Sequence, residues 1–598
     1  MVVYQDHKRT VSTREFLRDI EQLVDRMIAP GPGAHDDAVE LLITFGEFES
    51  ALSDVYCREH DRRNAEPAIL RKAGGAAGHL FAASWETKSD EAREWAVRLH
   101  TQLDEISRIE LPSHLCISVP EGYAYYSLYP EMYYASARRF VSSCTPQKVV
   151  CIGLRSIGTS LSAVVAAAIE RSGCPADSCT VRPRGHAFNR FLLLAPEFEE
   201  YLRARSDAYF LIVDEGPGLS GSSFCATAQK LSDLGIADHR IVFIPSWTPA
   251  GNAFVNTAAR ERWPRHAKFC ASFEEVWIES GRLTCLPARS RLIDISAGAW
   301  RKIFFRNESD SPAVYANLER RKYLCMPEEI TGSGVPSPDK MRQALQTGSE
   351  IIMLKFAGLG KYGRRARDRA ERIARAGFSP PVFGLSHGFL ACKFMIGTPL
   401  AVGDAGDDLV SRIAAYVTFL RDNFPEQQTR SFEDMVEMIC TNAGEGLGKR
   451  WVDRFKQVIT EHSLQYKSDP VGVDGHMLPH EWIRSADGYY KTDETDHHAD
   501  HYFPGCQDIA WDIAGAIVEF GLGLEMKRRL IERYSACAHD AHIRGRLPFY
   551  ATAYCAYRLG FATLAADVLA GTPDGEKFRR LSRRYALSLQ EAIAADEG

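Results

Sequence analysis

The first recurring pattern along the chain has a period near 3.6. Phe16, Ile20, Leu23, Val24 and Met27, headed by Thr13, line one face of a predicted helix. The Pro/Gly break at 29–35 separates it from a second predicted helix over 38–57. Beyond about residue 110 the pattern changes to short, continuous apolar runs alternating with helical segments. Strands are predicted at 149–152, 178–181, 209–213 and 240–245, with helices at 159–171 and 223–235. Continuous apolar strands alternating with helices imply a parallel sheet covered on both faces. Strand-like runs at 291–296, 351–356 and 388–395 then flank an arginine-rich helix at 363–376. From 401 onward the pattern is mainly helical, apart from a His/Asp-dense polar segment at 474–508. No fixed-period repeat and no low-complexity tract is present. The expected domains are a helical region at 1–110, a parallel α/β domain at 111–285, a mixed lobe at 286–400 and a helical lobe at 401–598.

Composition adds exclusions. The 598 residues are 45% hydrophobic with a net charge of −6, which gives no basic bias toward nucleic acid. No apolar run is long enough to span a bilayer. The opening MVVYQDHKRT lacks the apolar core of a secretory signal. The 15 cysteines are scattered, without a CxxC pair, as expected of reduced thiols in a cytoplasm. The region 1–110 carries no evident chemistry and reads as structural or docking. The aromatic-dense stretch at 120–134 reads as core.

The segment FLIVDEGPGLSGSSF, 210–224, ends an apolar strand in Asp214 and Glu215 and passes through a small-residue loop into a helix. Backbone N–H groups of Leu219, Ser220, Gly221, Ser222 and Ser223 at that helix start suit a phosphate. Gly216, Gly218 and Gly221 permit the turn. The two carboxylates suit ribose hydroxyls and the positive charge of an oxocarbenium-like sugar. An ordinary strand-to-helix turn capped by Ser220 is the competing reading. A second strand–loop–helix, VVCIGLRSIGTSLSA at 149–163, carries Arg155, Ser156, Gly158 and Thr159. Two such loops at the carboxyl ends of parallel strands face one crevice. Between them lie Arg182, Arg184, His186 and Arg190, either a phosphate-closing basic loop or a solvated charged one.

On these motifs residues of about 120–250 resemble the type I phosphoribosyltransferases. The resemblance implies that Asp214 and Glu215 bind the ribose of phosphoribosyl pyrophosphate. Gly218 through Ser223 would hold its 5-phosphate, and Arg155, Ser156, Gly158 and Thr159, with Arg182 and Arg184, its pyrophosphate. Glu215 stands where the family has Asp, the loop is one residue longer, and serines replace threonines. These departures bear on the usual nucleobase substrates rather than on phosphate binding.

Farther on, Lys355 sits in the apolar strand IIMLKF at 351–356, where an ammonium needs a partner. Glu371 follows on the next helix. Then come FMIGTPL (394–400), DGHMLPHEWI (474–483), YYKTDETDHH (489–498) and DIAWDIAG (508–515). In this order they resemble the aminoglycoside phosphotransferase/choline kinase-like (protein-kinase-like) proteins over about 290–570. The resemblance implies an α+β bilobal fold with Lys355 paired to Glu371 and holding ATP phosphates. It places a proton acceptor at His476 or Asp474, and Mg2+ at Glu481 and Asp493. His476 replaces the family's catalytic aspartate and Glu481 its asparagine, whereas Asp493 matches. Asp493, His497 and His501 also admit a transition-metal reading, or that of a polar loop. Asp508 and Asp512 read as loop tethers.

The expected protein is therefore a phosphoribosyltransferase-like parallel sheet joined to a kinase-like domain, with a helical N-terminal extension. The expected activity is Mg2+-dependent phosphoribosyl transfer, or its reverse, on a small molecule, with ATP-dependent phosphorylation as a second activity. A regulatory or defence protein that senses phosphoribosyl pyrophosphate or nucleotide through a pseudokinase is the alternative. A metal-dependent hydrolase is a third reading. Small-molecule substrates are the expected partners, with no nucleic acid and no membrane, and the sequence sets no oligomeric state.

Overall fold

The computed structural model describes all residues except 5–7, 30–34, 251–253, 284–289, 328–336, 338, 342, 344–350, 427–430, 463–468, 496–501, 504 and 596–598. The chain forms two compact units. One comprises Lys8–Thr284 with Gly358–Arg364, the other Met1–His7, Cys285–Ala357 and Arg365–Gly598.

The first unit opens with β1 (Lys8–Ser12), which pairs antiparallel with β2 (His114–Ser118). Between them run α1 (Thr13–Ile28), α2 (His35–Tyr56), α3 (Ala65–Trp85) and α4 (Ser89–Ser107). Ser12 caps α1 by accepting from the Glu15 N–H, and the stripe from Phe16 to Met27 is buried. By contrast α2 is buried around most of its circumference, Glu40, Glu47 and Glu49 included. These acids meet cations: Lys361 lies 2.5 Å from Glu47, and Arg364 pairs with Glu40. After α5 (Glu121–Ala124) and α6 (Pro130–Cys144) comes a five-stranded parallel sheet. Its strands are β3 (Val149–Leu154), β4 (Ala176–Val181), β7 (Tyr209–Val213), β8 (Ile241–Ile244) and β9 (Ala267–Lys268), in the order β4-β3-β7-β8-β9. A hairpin, β5 (Arg184–His186) with β6 (Asn189–Phe191), lies outside it. The helices α7 (Ile157–Arg171), α8 (Pro196–Arg203) and α9 (Ser222–Asp233) cross between strands. All six residues of β3 are buried, as a strand covered on both faces requires. Tyr123, Tyr129, Tyr133 and Tyr134 are core, as their stretch leads one to expect.

The second unit has a five-stranded antiparallel sheet, β10 (Ser290–Asp294), β11 (Lys322–Pro327), β12 (Ile352–Phe356), β13 (Val382–Ser386) and β14 (Phe389–Lys393), in the order β10-β11-β12-β14-β13. Ile293, Leu324, Met326 and Ile351 belong to one small core of this unit. Leu390 and Cys392 pack in another with Ala366 and Ala370 of the helix Lys361–Arg375. The remainder is helical around a large core containing Trp451, Trp482 and Trp511. There β16 (Trp482–Ser485) and β17 (Gly488–Lys491) of the polar segment join β15 (Thr398–Pro399) in a small sheet. No helix among the described residues is long and apolar enough to cross a membrane.

Candidate functional sites

In the first unit the sequence order of the parallel sheet reverses between β3 and β7. A crevice forms at such a point, outside the carboxyl ends of the two strands. The loop after β3 and the loop after β7 meet there. A Cβ on Gly158 would lie 2.5 Å from the Val213 carbonyl and 3.3 Å from Asp214 Oδ1, so only glycine fits. Ser156 adopts φ 139°, a conformation costing about 1–3 kcal/mol for a residue with a side chain. Tyr133 donates its hydroxyl to the Asp214 and Glu215 carbonyls at 2.7 and 2.9 Å, and Tyr123 bonds Ser160 Oγ at 2.9 Å. Burial raises the Asp214 carboxyl to about 7. Burial, and then the Asp214 charge, raises Glu215 to about 8.

The loop leading to α9 turns through Gly218 and Gly221, both at positive φ. Ser220 and Ser222 donate to the Ala187 carbonyl in the β5–β6 connection at 3.0 and 2.7 Å. Leu219 is exposed.

The basic residues expected at the pyrophosphate are engaged elsewhere. Arg155 is buried, its Nε 2.7 Å from Asp54 and its Nη2 on Asp61. Arg182 also binds Asp54, and its backbone N–H donates to Asp61 at 2.8 Å. Arg184 donates to the Arg58 and Cys57 carbonyls at 2.8 and 2.6 Å. Asp54 and Asp61 belong to the N-terminal helical region, in which the sequence shows no chemistry. They lie about a hundred residues upstream of their partners, and no local pattern in the sequence signals them.

In the second unit a cleft of about 670 Å3 is lined by Trp300, Lys322, Lys355, His476, Glu481 and Asp493, among others. Lys355 on β12 stands directly opposite Lys322 on β11. Two like charges in such register repel unless an anion lies between them. Asp493 supplies it, pairing with Lys355 through Oδ1 and standing 3.6 Å from Lys322 through Oδ2. Glu319 lies 3.4 Å from Lys322.

The expected Lys355–Glu371 pair is not formed. Glu371 pairs with Arg367 and Arg375, one turn away on either side. Ala366, Ala370 and Ile373 define the buried face of that helix. Arg369, also buried, donates to the Glu494 and Val473 carbonyls at 3.1 and 3.3 Å. With no helix carboxylate at hand, Lys355 turns to Asp493.

The loop bearing His476 is held by its backbone. Asp512 accepts from the Asp474 and Gly475 N–H groups at 2.8 and 2.9 Å. Asp508 accepts from the Ala510 N–H at 2.7 Å and pairs with Arg546. Both act as the tethers expected of them. Asp474 is itself buried, accepting from the Tyr416 hydroxyl at 2.6 Å, which leaves His476 as the group of the two that faces the cleft.

Lys491, fully buried at the end of β17, lies 2.8 Å from Glu481 and 3.2 Å from Asp474. Asp474 and Glu481 hold its ammonium charged. Burial, and then the charges of Asp493 and Asp474, raise the Glu481 carboxyl to about 8, against the pull of Lys491. At 2.8 Å from a charged lysine we read the acid as ionised, because the ammonium beside it favours the carboxylate form. Lys322 and Lys491 were missed in the sequence. Lys491 ends the short strand GYYK inside the polar segment, so no apolar run flags it as buried.

The resemblance implied Mg2+ at Glu481 and Asp493. Glu481 faces Lys491, and Asp493 faces Lys355 and Lys322. Among the described residues no group of three or more His, Cys, Asp or Glu converges to hold a metal. This donor set, already matched by ammonium groups, does not fit a divalent ion. His497 and His501 lie outside the described residues.

No family model and no curated protein matches this sequence. Solved structures that it resembles in part include choline, ethanolamine and aminoglycoside kinases. One is a choline/ethanolamine kinase family protein from Mesorhizobium loti, 14% identical, matching 41% of this chain and 88% of that one at a TM-score of 0.31. Another is an ethanolamine kinase from Plasmodium vivax, 9% identical over 61% of this chain and 93% of that one, TM-score 0.33. A third is aminoglycoside 2'-phosphotransferase-IIIa in its GDP complex, 10% identical over 48% and 92%, TM-score 0.29.

Proposed function

We propose that the second unit binds a nucleoside triphosphate, ATP in the first instance, and passes its terminal phosphoryl group to a small molecule. The observation that carries this reading is the pair of lysines, Lys322 and Lys355, sharing Asp493 on the wall of an aromatic-lined cleft. Paired ammonium groups neutralise phosphate oxygens. The volume suits a nucleotide-sized ligand, and Trp300, Phe394 and Tyr502 offer faces for a base or an apolar acceptor. In the transfer, the imidazole of His476 takes the proton of an acceptor hydroxyl as its oxygen attacks the terminal phosphorus. The bond to the diphosphate leaving group breaks. The test is ATP consumption over a panel of small hydroxyl compounds with the wild type and His476→Ala. Retained nucleotide binding with consumption lost in the variant supports the reading. Consumption unaffected by His476→Ala overturns that histidine's role, and no binding in either protein overturns the reading itself. Binding without turnover in the wild type favours the regulatory alternative.

A second reading concerns the first unit. Asp214 and Glu215 stand beside a strained loop at the point where the strand order reverses, which favours a phosphosugar such as phosphoribosyl pyrophosphate, for transfer or for sensing. Calorimetric titration of phosphoribosyl pyrophosphate into wild type and Asp214→Asn/Glu215→Gln tests it. Equal heats in the two proteins would count against the crevice as the site.

A further inference from the structure

At one wall of the cleft in the second unit, and in the buried layer behind it, lysines and carboxylates are interleaved. Lys322 and Lys355 share Asp493, and Lys491 bridges Glu481 and Asp474. Asp493, Glu481 and Asp474 are therefore each matched by an ammonium group already. The matches differ in kind. Lys491 is fully buried, and Glu481 is nearly so. Removing Lys491 leaves Glu481 and the buried Asp474 without their counter-charge. Asp493 is partly exposed and lies against two lysines rather than one, so an incoming anion can take either ammonium group without stranding the acid.

We infer that this cleft binds the polyphosphate of a nucleotide without a divalent cation, through Lys322 and Lys355, with Lys491 as a built-in counter-ion that fixes Glu481 and Asp474. The inference rests on the nucleotide reading above and goes beyond it. In this arrangement the two cross-strand ammonium groups neutralise the phosphate oxygens that a bound metal ion would otherwise neutralise. Lys491 meanwhile keeps the loop of His476 in place and blocks Glu481 from serving as a ligand. Added Mg2+ masks part of the phosphate charge in solution and so competes with the lysines for it.

The experiment uses the full chain and the β,γ-imido analogue of ATP, titrated calorimetrically in excess EDTA and again in excess MgCl2. The expected result is binding in EDTA at least as tight as in MgCl2. Lys322→Met and Lys355→Met are each expected to weaken the EDTA affinity by about tenfold or more, because each removes one charge from the anion seat. Binding seen only with MgCl2, or about tenfold tighter with it, overturns the inference and leaves the nucleotide reading standing. Absence of binding in both buffers overturns the nucleotide reading, and the inference with it. Lys491→Met tests the counter-ion directly. Should that variant fail to fold, Lys491→Met/Glu481→Gln removes both charges of the buried pair. A double variant that gains dependence on MgCl2 supports the blocking role of Lys491. One that binds as the wild type does in both buffers overturns that role.

Discussion

Lys355 and Arg155 are cations beside buried strands, and each is balanced by a carboxylate remote in sequence, Asp493 and Asp61. For Lys355 the balance is shared with Lys322. Lys355→Met should therefore cost only about 1–3 kcal/mol of stability, less than a stranded buried charge costs. It should nonetheless lose most nucleotide affinity. Denaturant unfolding beside the titration separates these two effects. Asp214 and Glu215 support a different expectation. Their folded carboxyls titrate at about 7 and about 8, against ordinary values near 4 in the unfolded chain. The native state thus binds more protons across that interval. The stability they contribute is full below about pH 4 and is lost as pH rises through about 7 to 8. His480 opposes this only below about pH 6.5, since burial holds it neutral down to about 3. The melting temperature should accordingly fall between about pH 6.5 and 8.5. In Asp214→Asn/Glu215→Gln that fall should be shallower, and an unchanged slope would place the proton uptake elsewhere.

Glycine sets the closeness of several elements. A Cβ on Gly46 of α2 would lie 2.7 Å from the Ser160 Cβ on α7. Gly46→Ala should therefore destabilise the protein by about 1–3 kcal/mol, the usual cost of overpacking. Gly75 of α3 has no atom within 4 Å of the corresponding position. Gly75→Ala should be neutral or stabilising by up to about 1 kcal/mol, from helix propensity alone. Chemical denaturation of the two variants tests the packing of α2 on α7. The Asp512 carboxylate, at the start of the helix Ala510–Phe520, satisfies two buried N–H groups of the His476 loop. Asp512→Ala orphans both, and a loss of about 2–5 kcal/mol is expected. Stability within about 0.5 kcal/mol of wild type would show that water replaces the carboxylate there. The same scale explains Glu371. A helix presents positions 369 and 371 on nearly opposite sides, so the arginine is buried and the glutamate pairs along the surface.

Two units with separate hydrophobic cores should not unfold in a single two-state transition. Calorimetry is expected to resolve at least two components, and the ATP analogue should raise the temperature of only one. A single symmetric transition moved as a whole by the analogue would mean that the units unfold together. Much of the architecture is legible along the chain. The parallel strands 149–154 and 209–213 announce themselves as unbroken apolar runs, because a strand covered on both faces has no polar side. The acidic strand end at Asp214 and Glu215 and the lysine strand at Lys355 are equally local, since each depends on residues a few positions apart. The partners are not. Asp54 and Asp61 take Arg155 and Arg182, Asp493 takes Lys355, and Lys491 takes Glu481, while Glu371 turns away. A charge leaves no mark in the sequence of the counter-charge it will meet. Pairing depends on helix phase, on strand register and on which buried ion would otherwise stand alone, and folding alone sets all three.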